Sequence, residues 1–116
     1  MKIGITGCAG RMGRMLMAEA IGRDGAELAG GVERPDHDAV GRDLGLLAGG
    51  EPIGVKVTSD PQALFELAAA VIDFTTPENT VANAEIAAAT GRPLIIGTTG
   101  LEAEHMAAID RAAAKT

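Results

Sequence analysis

A β-rich run that stops on a glycine and passes at once into a helical segment leaves a chain few folding options. Residues 3–13, Ile-Gly-Ile-Thr-Gly-Cys-Ala-Gly-Arg-Met-Gly, are such a run, with glycines at 7, 10 and 13. A strand that turns sharply into a helix through glycines leaves bare backbone N–H groups at the positive end of the helix dipole. That geometry suits a phosphate.

The rest of the chain repeats the alternation. Residues 2–6 read as a first strand, and Arg11 to Ile21 carries apolar residues at helical intervals up to the breakers Gly22 and Gly25. Glu27 to Val32 reads as a second strand. Asp36 to Pro52, rich in glycine and charge, is a loop with room for one helical turn. Ile53 to Thr58, with Val55 and Val57 alternating against Lys56, predicts a third strand. Ser59 or Asp60 before Pro61 is a cap followed by proline at the first helical position, and that helix runs to about Ala69. Ala70 to Phe74 is apolar enough for a strand buried on both faces. Thr76-Pro77 starts another helix by the same logic, ended by Gly91; Leu94 to Ile96 is a fifth strand, and Leu101 to Ala114 a last helix. The alternation predicts an α/β fold, a Rossmann-type doubly wound parallel sheet covered on both faces, with residues 1–116 as one domain. With two Phe and no Trp or Tyr, its core must be built from Ile, Leu, Val, Ala and Met. The last helix runs into Lys115 and Thr116 without a closing glycine or a following strand. Since this fold commonly has a sixth strand, the chain is expected to be cut short.

The acidic residue Glu33 ends the second strand, 20 positions after Gly13 (33 − 13). A carboxylate at that distance hydrogen-bonds the adenosine ribose of a dinucleotide. The glycine spacing is Gly-x-x-Gly-x-x-Gly, which puts Ala9 near the place where the usual second glycine lets backbone approach phosphate. Arg34 follows directly, and its guanidinium can pair with a 2′-phosphate, so NADH or NADPH is the expected cofactor. Ligands of such sheets lie beyond the carboxyl ends of the strands. The loops Phe74-Thr75-Thr76-Pro77 and Gly97-Thr98-Thr99-Gly100 leave two further strands on that edge, the second well placed for the nicotinamide end.

Other side chains carry less. A net charge of −6 disfavours nucleic acid and anionic membrane as partners. Cys8 is the only cysteine, which excludes an internal disulfide and suits a reducing cytoplasm. No apolar run approaches bilayer-spanning length. His37 and His105 belong to no cluster with metal-ligand spacing, so no metal is expected, and no catalytic residue is assigned. Cys8 lies at a helix N-terminus, where a thiol can be acidified, but reads better as a small residue in a crowded loop. A bound dinucleotide would be expected to slow its alkylation. Asp73 reads as a hydrogen-bonded strand-end carboxylate rather than a catalytic one.

Gly7-Cys8-Ala9-Gly10-Arg11-Met12-Gly13, Glu33-Arg34, Ile72-Asp73-Phe74-Thr75 with Pro77, and Ile96-Gly97-Thr98-Thr99-Gly100 occur in that order along nearly the whole chain. Together they resemble the bacterial 4-hydroxy-tetrahydrodipicolinate reductase family. The resemblance implies the cofactor domain of an NAD(P)H-dependent oxidoreductase of lysine and diaminopimelate biosynthesis, acting on a small cyclic dicarboxylate and homo-oligomeric when complete. It implies that Gly7, Cys8, Ala9, Gly10, Arg11 and Met12 hold the pyrophosphate. Glu33 and Arg34 would hold the adenosine ribose end. Gly97, Thr98 and Thr99 would lie along the nicotinamide, with Thr99 also near substrate. Many members carry Arg where this chain has Thr76, which removes one cation from the cofactor edge. The family's catalytic His and Lys and its substrate-anion loop belong to a C-terminal substrate domain with no counterpart in these residues. Two other readings remain open: a stand-alone nucleotide-binding regulatory module, and the cofactor domain of another small NAD(P)-dependent dehydrogenase.

Overall fold

A computed structural model describes residues 1–114; Lys115 and Thr116, where the last helix was expected to run on, lie outside the described residues. The elements are β1 (Lys2–Thr6), α1 (Arg11–Gly22), β2 (Glu27–Val32), α2 (Leu44–Leu47), α3 (Pro61–Leu67), β3 (Ala70–Asp73), α4 (Pro77–Thr90), β4 (Leu94–Ile96) and α5 (Ala103–Ala113). The four strands form one parallel sheet in the order β2-β1-β3-β4. The chain therefore leaves β1 toward one side for β2 and later returns to the other side of β1 with β3. That reversal opens a crevice at the carboxyl ends of β1 and β3.

The caps act as the sequence requires. Asp60 accepts from the Ala63 N–H at the start of α3, and Thr76 from the Asn79 N–H at the start of α4; each precedes a proline at the first helical position. Gly91, at φ 68°, ends α4 in the left-handed conformation. At α1 no side chain caps the helix: the N-cap residue is Gly10.

Two apolar clusters cover the two faces of the sheet. Ile5, Leu28, Met17, Ala20, Cys8, Leu44 and Val57 pack on the α1 side. Val32, Val71, Leu64, Phe65, Ala68 and Ala87 pack on the side of α3 and α4. On that second face Gly4 and Gly30 are register partners in neighbouring strands. A Cβ at either would come within 2.6 or 2.8 Å of the Leu64 side chain, so the missing side chains seat Leu64 directly on the sheet.

The expected third strand does not form. Between Ile53 and Thr58 only two isolated bridges occur, Thr58 with Val32 in parallel and Lys56 with Asp43 antiparallel. Competition for backbone donors explains this. Asp43 accepts from the Ile53 and Gly54 N–H groups as well as those of Gly45 and Leu46. Val55 O and Val57 N and O are taken by Leu44, Arg42 and Gly41 of the preceding loop. Desolvation pushes the Asp43 pKa up, but the four N–H donors outweigh it and hold the carboxyl below its ordinary value. Only Thr58 reaches β2, with Glu33 N–H donating to Thr58 O (2.9 Å) and Thr58 N–H to Gly31 O (3.0 Å). The segment thus marks the place of a strand outside β2 without becoming one.

Candidate functional site

The glycine loop between β1 and α1 is built by close approach. Gly7 adopts φ +72°, and a Cβ there would lie 1.9 Å from the carbonyl oxygen of Phe74, at the exit of β3. A Cβ on Gly13 would lie 2.4 Å from Gly7 O and 2.7 Å from Cys8 Cα, so Gly13 lets the first turn of α1 rest on the loop. Gly10 differs. Its φ is −71°, and the nearest atom to a Cβ there is 3.5 Å away. Packing demands glycine at 7 and 13 but not at 10.

The loop's own N–H groups are mostly spent within the protein. Gly7 and Cys8 donate to Val32 O (2.9 and 3.4 Å), and Gly10 to Gly7 O (3.2 Å). Ala9 donates to Glu33 Oε2 at 2.9 Å. Arg14 Nε holds the loop from behind through Ala9 O (2.8 Å). Arg11 and Met12, the first residues of α1, have no acceptor for their N–H groups among the described residues. A helix start with no side-chain cap and open N–H donors is an anion site in its electrostatics.

A cleft of 510 Å³ runs from this loop to the end of β2, between Gly7 and Gly10, the pair Glu33 and Arg34, and Phe74 with Asn79 of α4. Glu33 thus has two contacts: one carboxylate oxygen on the glycine loop, and a place on the cleft wall. Arg34 is exposed, its Nε 3.2 Å from Asp36 Oδ1, an ion pair of little energetic weight at such exposure. Of the expected cofactor residues, Gly7, Gly10, Glu33 and Arg34 line the cleft; Cys8, Ala9, Arg11, Met12, Gly97, Thr98 and Thr99 do not. His37 does line it, its Nδ1 accepting from the Ala39 N–H. These groups fit a dinucleotide: at one end the cleft is lined by Gly10, free of packing and next to the open N–H groups of α1, and at the other by a carboxylate and a guanidinium.

Cys8 is fully buried, packed with Leu44 and against Gly31. Burial first, then the Glu33 carboxylate, pushes its thiol from the ordinary 9.0 up to about 12. The protein itself covers the sulfur, so the expected shielding by a ligand has little left to shield. In the native state alkylation by iodoacetamide at pH 8 is expected to run roughly a hundredfold slower than in urea. Because the folded pKa is the raised one, this group's contribution to stability is complete below pH 9. It is lost as pH rises toward 12, by up to about 1.4 kcal/mol per pH unit. Native labelling at the unfolded rate would contradict this burial.

Asp73 is a strand-end carboxylate, as the sequence suggests, but its partners were not foreseen. It accepts from Thr6 Oγ1 (2.5 Å), Thr75 Oγ1 (2.8 Å), Thr98 Oγ1 (3.0 Å), Asn83 Nδ2 (3.0 Å) and Thr80 Oγ1. Thr98 is therefore turned inward, and its oxygen also accepts from the Thr75 N–H (2.9 Å). Thr99 beside it is exposed. His105 closes a capping box on α5, its Nδ1 accepting from the Glu102 N–H (3.0 Å). Among the described residues no group of three or more His, Cys, Asp or Glu is arranged to hold a metal ion, and no helix is long and apolar enough to cross a membrane.

The family described as "Dihydrodipicolinate reductase, N-terminus" matches residues 1–116. A 4-hydroxy-tetrahydrodipicolinate reductase of Cereibacter sphaeroides is 55% identical over 102 residues, which cover 88% of this chain and 38% of that protein. One from a Ruegeria species is 49% identical over 112 residues, 97% of this chain and 42% of that protein. Among solved structures, a dipicolinate-bound dihydrodipicolinate reductase from Paenisporosarcina sp. TG-14 superposes with a TM-score of 0.70 at 23% identity, over 97% of this chain and 43% of the other. An amine dehydrogenase from Mycobacterium smegmatis gives 0.67 at 22%, over 83% and 29%. The chain spans about two fifths of the length of these reductases.

Proposed function

The chain belongs to the dihydrodipicolinate reductase N-terminal family, and from that we propose that it is the NAD(P)H-binding part of a 4-hydroxy-tetrahydrodipicolinate reductase. The observation that carries the reading is the uncapped start of α1, whose N-cap Gly10 lines a cleft that ends at Glu33 and Arg34. The N–H groups of Arg11 and Met12 hold the pyrophosphate, and Gly10 lets it approach. Glu33, one oxygen on Ala9, turns the other to the adenosine ribose. Arg34 meets a 2′-phosphate when one is present, so both dinucleotides are accepted. Gly97, Thr98 and Thr99 form the nicotinamide end, with Thr99 toward the substrate. The bound cofactor supplies the hydride; the protein's part is to hold and orient it. The complete protein would reduce a small cyclic dicarboxylate precursor in lysine and diaminopimelate biosynthesis. In that reading it acts in the cytoplasm as a homo-oligomer, with a proton donor and a dicarboxylate clamp supplied by residues outside this chain.

Calorimetric titration with NADH and NADPH tests the reading. Binding without turnover of the precursor is the expected result, and failure to bind any dinucleotide rejects it. Gly10→Ala separates the roles of the glycines. A methyl group there meets no protein atom closer than 3.5 Å, so the melting temperature should hold. NADH affinity should fall about tenfold or more, because the backbone can no longer approach the phosphates. Unchanged affinity would remove the phosphate from this loop.

A further inference from the structure

The Gly97–Gly100 loop is pinned at its base to one residue at the end of the neighbouring strand β3. Gly97 N–H donates to the Asp73 carbonyl (2.8 Å), and the Thr98 hydroxyl donates to the Asp73 carboxylate (3.0 Å). The other donors to that carboxylate are Thr6 at the end of β1, Thr75 in the β3–α4 connection, and Thr80 and Asn83 on α4. Thr6, Thr75 and Asn83 also line the cleft. One buried side chain therefore joins three walls of the cleft to a loop that is not part of it. A carboxylate offers acceptors on both oxygens and no competing donor, which suits five donors converging as they do here. Thr98 is the link on the loop side, since the same hydroxyl also receives the Thr75 N–H (2.9 Å).

We propose that Asp73 is a positioning residue which, through Thr98, sets the Gly97–Gly100 loop in register with the cleft, so that the nicotinamide end of a dinucleotide meets Thr99 and the loop backbone. This rests on the cofactor reading given above. Asp73 touches no ligand in this scheme and acts through the loop. The link through Thr98 acts on the half of the dinucleotide that reaches the loop.

The test compares NADH with ADP-ribose, which keeps the adenosine and pyrophosphate but lacks the nicotinamide. Thr98→Val keeps the shape and removes both hydrogen bonds. NADH affinity should drop about tenfold, the weight of one hydrogen bond to a charged group, while ADP-ribose affinity is unchanged. Thr98→Ser should restore NADH binding. Equal weakening of both ligands, or of neither, overturns the inference and leaves the cofactor reading standing. Failure of the wild-type chain to bind either ligand overturns the cofactor reading as well. Should Thr98→Val not fold, hydrogen exchange on the wild-type chain decides. NADH but not ADP-ribose should slow exchange at Gly97–Gly100, and equal protection by the two overturns the inference.

Discussion

Asp73→Ala should cost about 4 kcal/mol or more of folding free energy, read as a fall in the urea midpoint at unchanged slope. The side chain is fully buried, as are Thr6 and Thr80 that donate to it, and Asn83 is buried beside them. Removing the acceptor strands these donors away from water, at about 1–3 kcal/mol for each one that cannot find another partner. The vacated volume adds a cavity term. In the wild type the arrangement closes without remainder: no buried side-chain nitrogen or oxygen among the described residues lacks a partner. A domain of this size has only about 5–15 kcal/mol to lose. Asp73→Asn should be much milder, about 1–2 kcal/mol. Its oxygen can still take Thr6, Thr75 and Asn83, while its amide donates to the hydroxyls of Thr80 and Thr98, which turn to accept. An alanine variant as stable as wild type would show that these bonds are replaced by water at no net cost.

Gly7→Ala is the second large effect, about 3 kcal/mol, or a melting temperature lower by about 10 °C or more. Two terms add. At φ +72° any side chain costs about 1–2 kcal/mol relative to glycine. The new Cβ would also lie 1.9 Å from Phe74 O, a backbone atom that cannot swing aside. Phe74 is tied to β1 through its N–H on Thr6 O (3.1 Å), so relief requires parting β1 from β3 at the mouth of the cleft. Dinucleotide binding should be lost together with stability. The paired result, stability lost at 7 and kept at 10, separates a glycine of the fold from a glycine of the site. No change in melting at 7 would mean that the loop shifts more freely than its contacts allow.

That distinction was out of reach of the sequence, where glycines 7, 10 and 13 look alike. Elements set by local chemistry were legible: β2 at Glu27–Val32, the Asp60-Pro61 and Thr76-Pro77 helix starts, and the Gly91 stop all fall where caps, prolines and glycine put them. The third strand failed because its alternation was real but its hydrogen bonds were claimed by Asp43 and the loop before it, ten and more positions away. In the candidate site, the strand–glycine–helix order and the carboxylate at the end of β2 were readable as a local pattern. The Glu33 bond to Ala9 and the convergence of Thr6, Thr80, Asn83 and Thr98 on Asp73 were not. They join residues 7 to 67 positions apart, and nothing in a single sequence marks a threonine as a donor to a distant carboxylate.

Gly4 and Gly30 point to a different kind of constraint. Each is ordinary in its own strand, and neither borders the cleft. Yet both stand where they do because the Leu64 side chain occupies the space their own would fill. The three positions therefore share one volume and cannot drift independently. A side chain added at residue 4 or 30 must displace the Leu64 side chain or be matched by a smaller residue there, and a smaller residue 64 leaves room for one. Leu64 also packs with Phe65, Val71 and Ala87, so that trade reaches the helices that carry the site. Two glycines outside the cleft thus set how closely α3 may lie on the sheet.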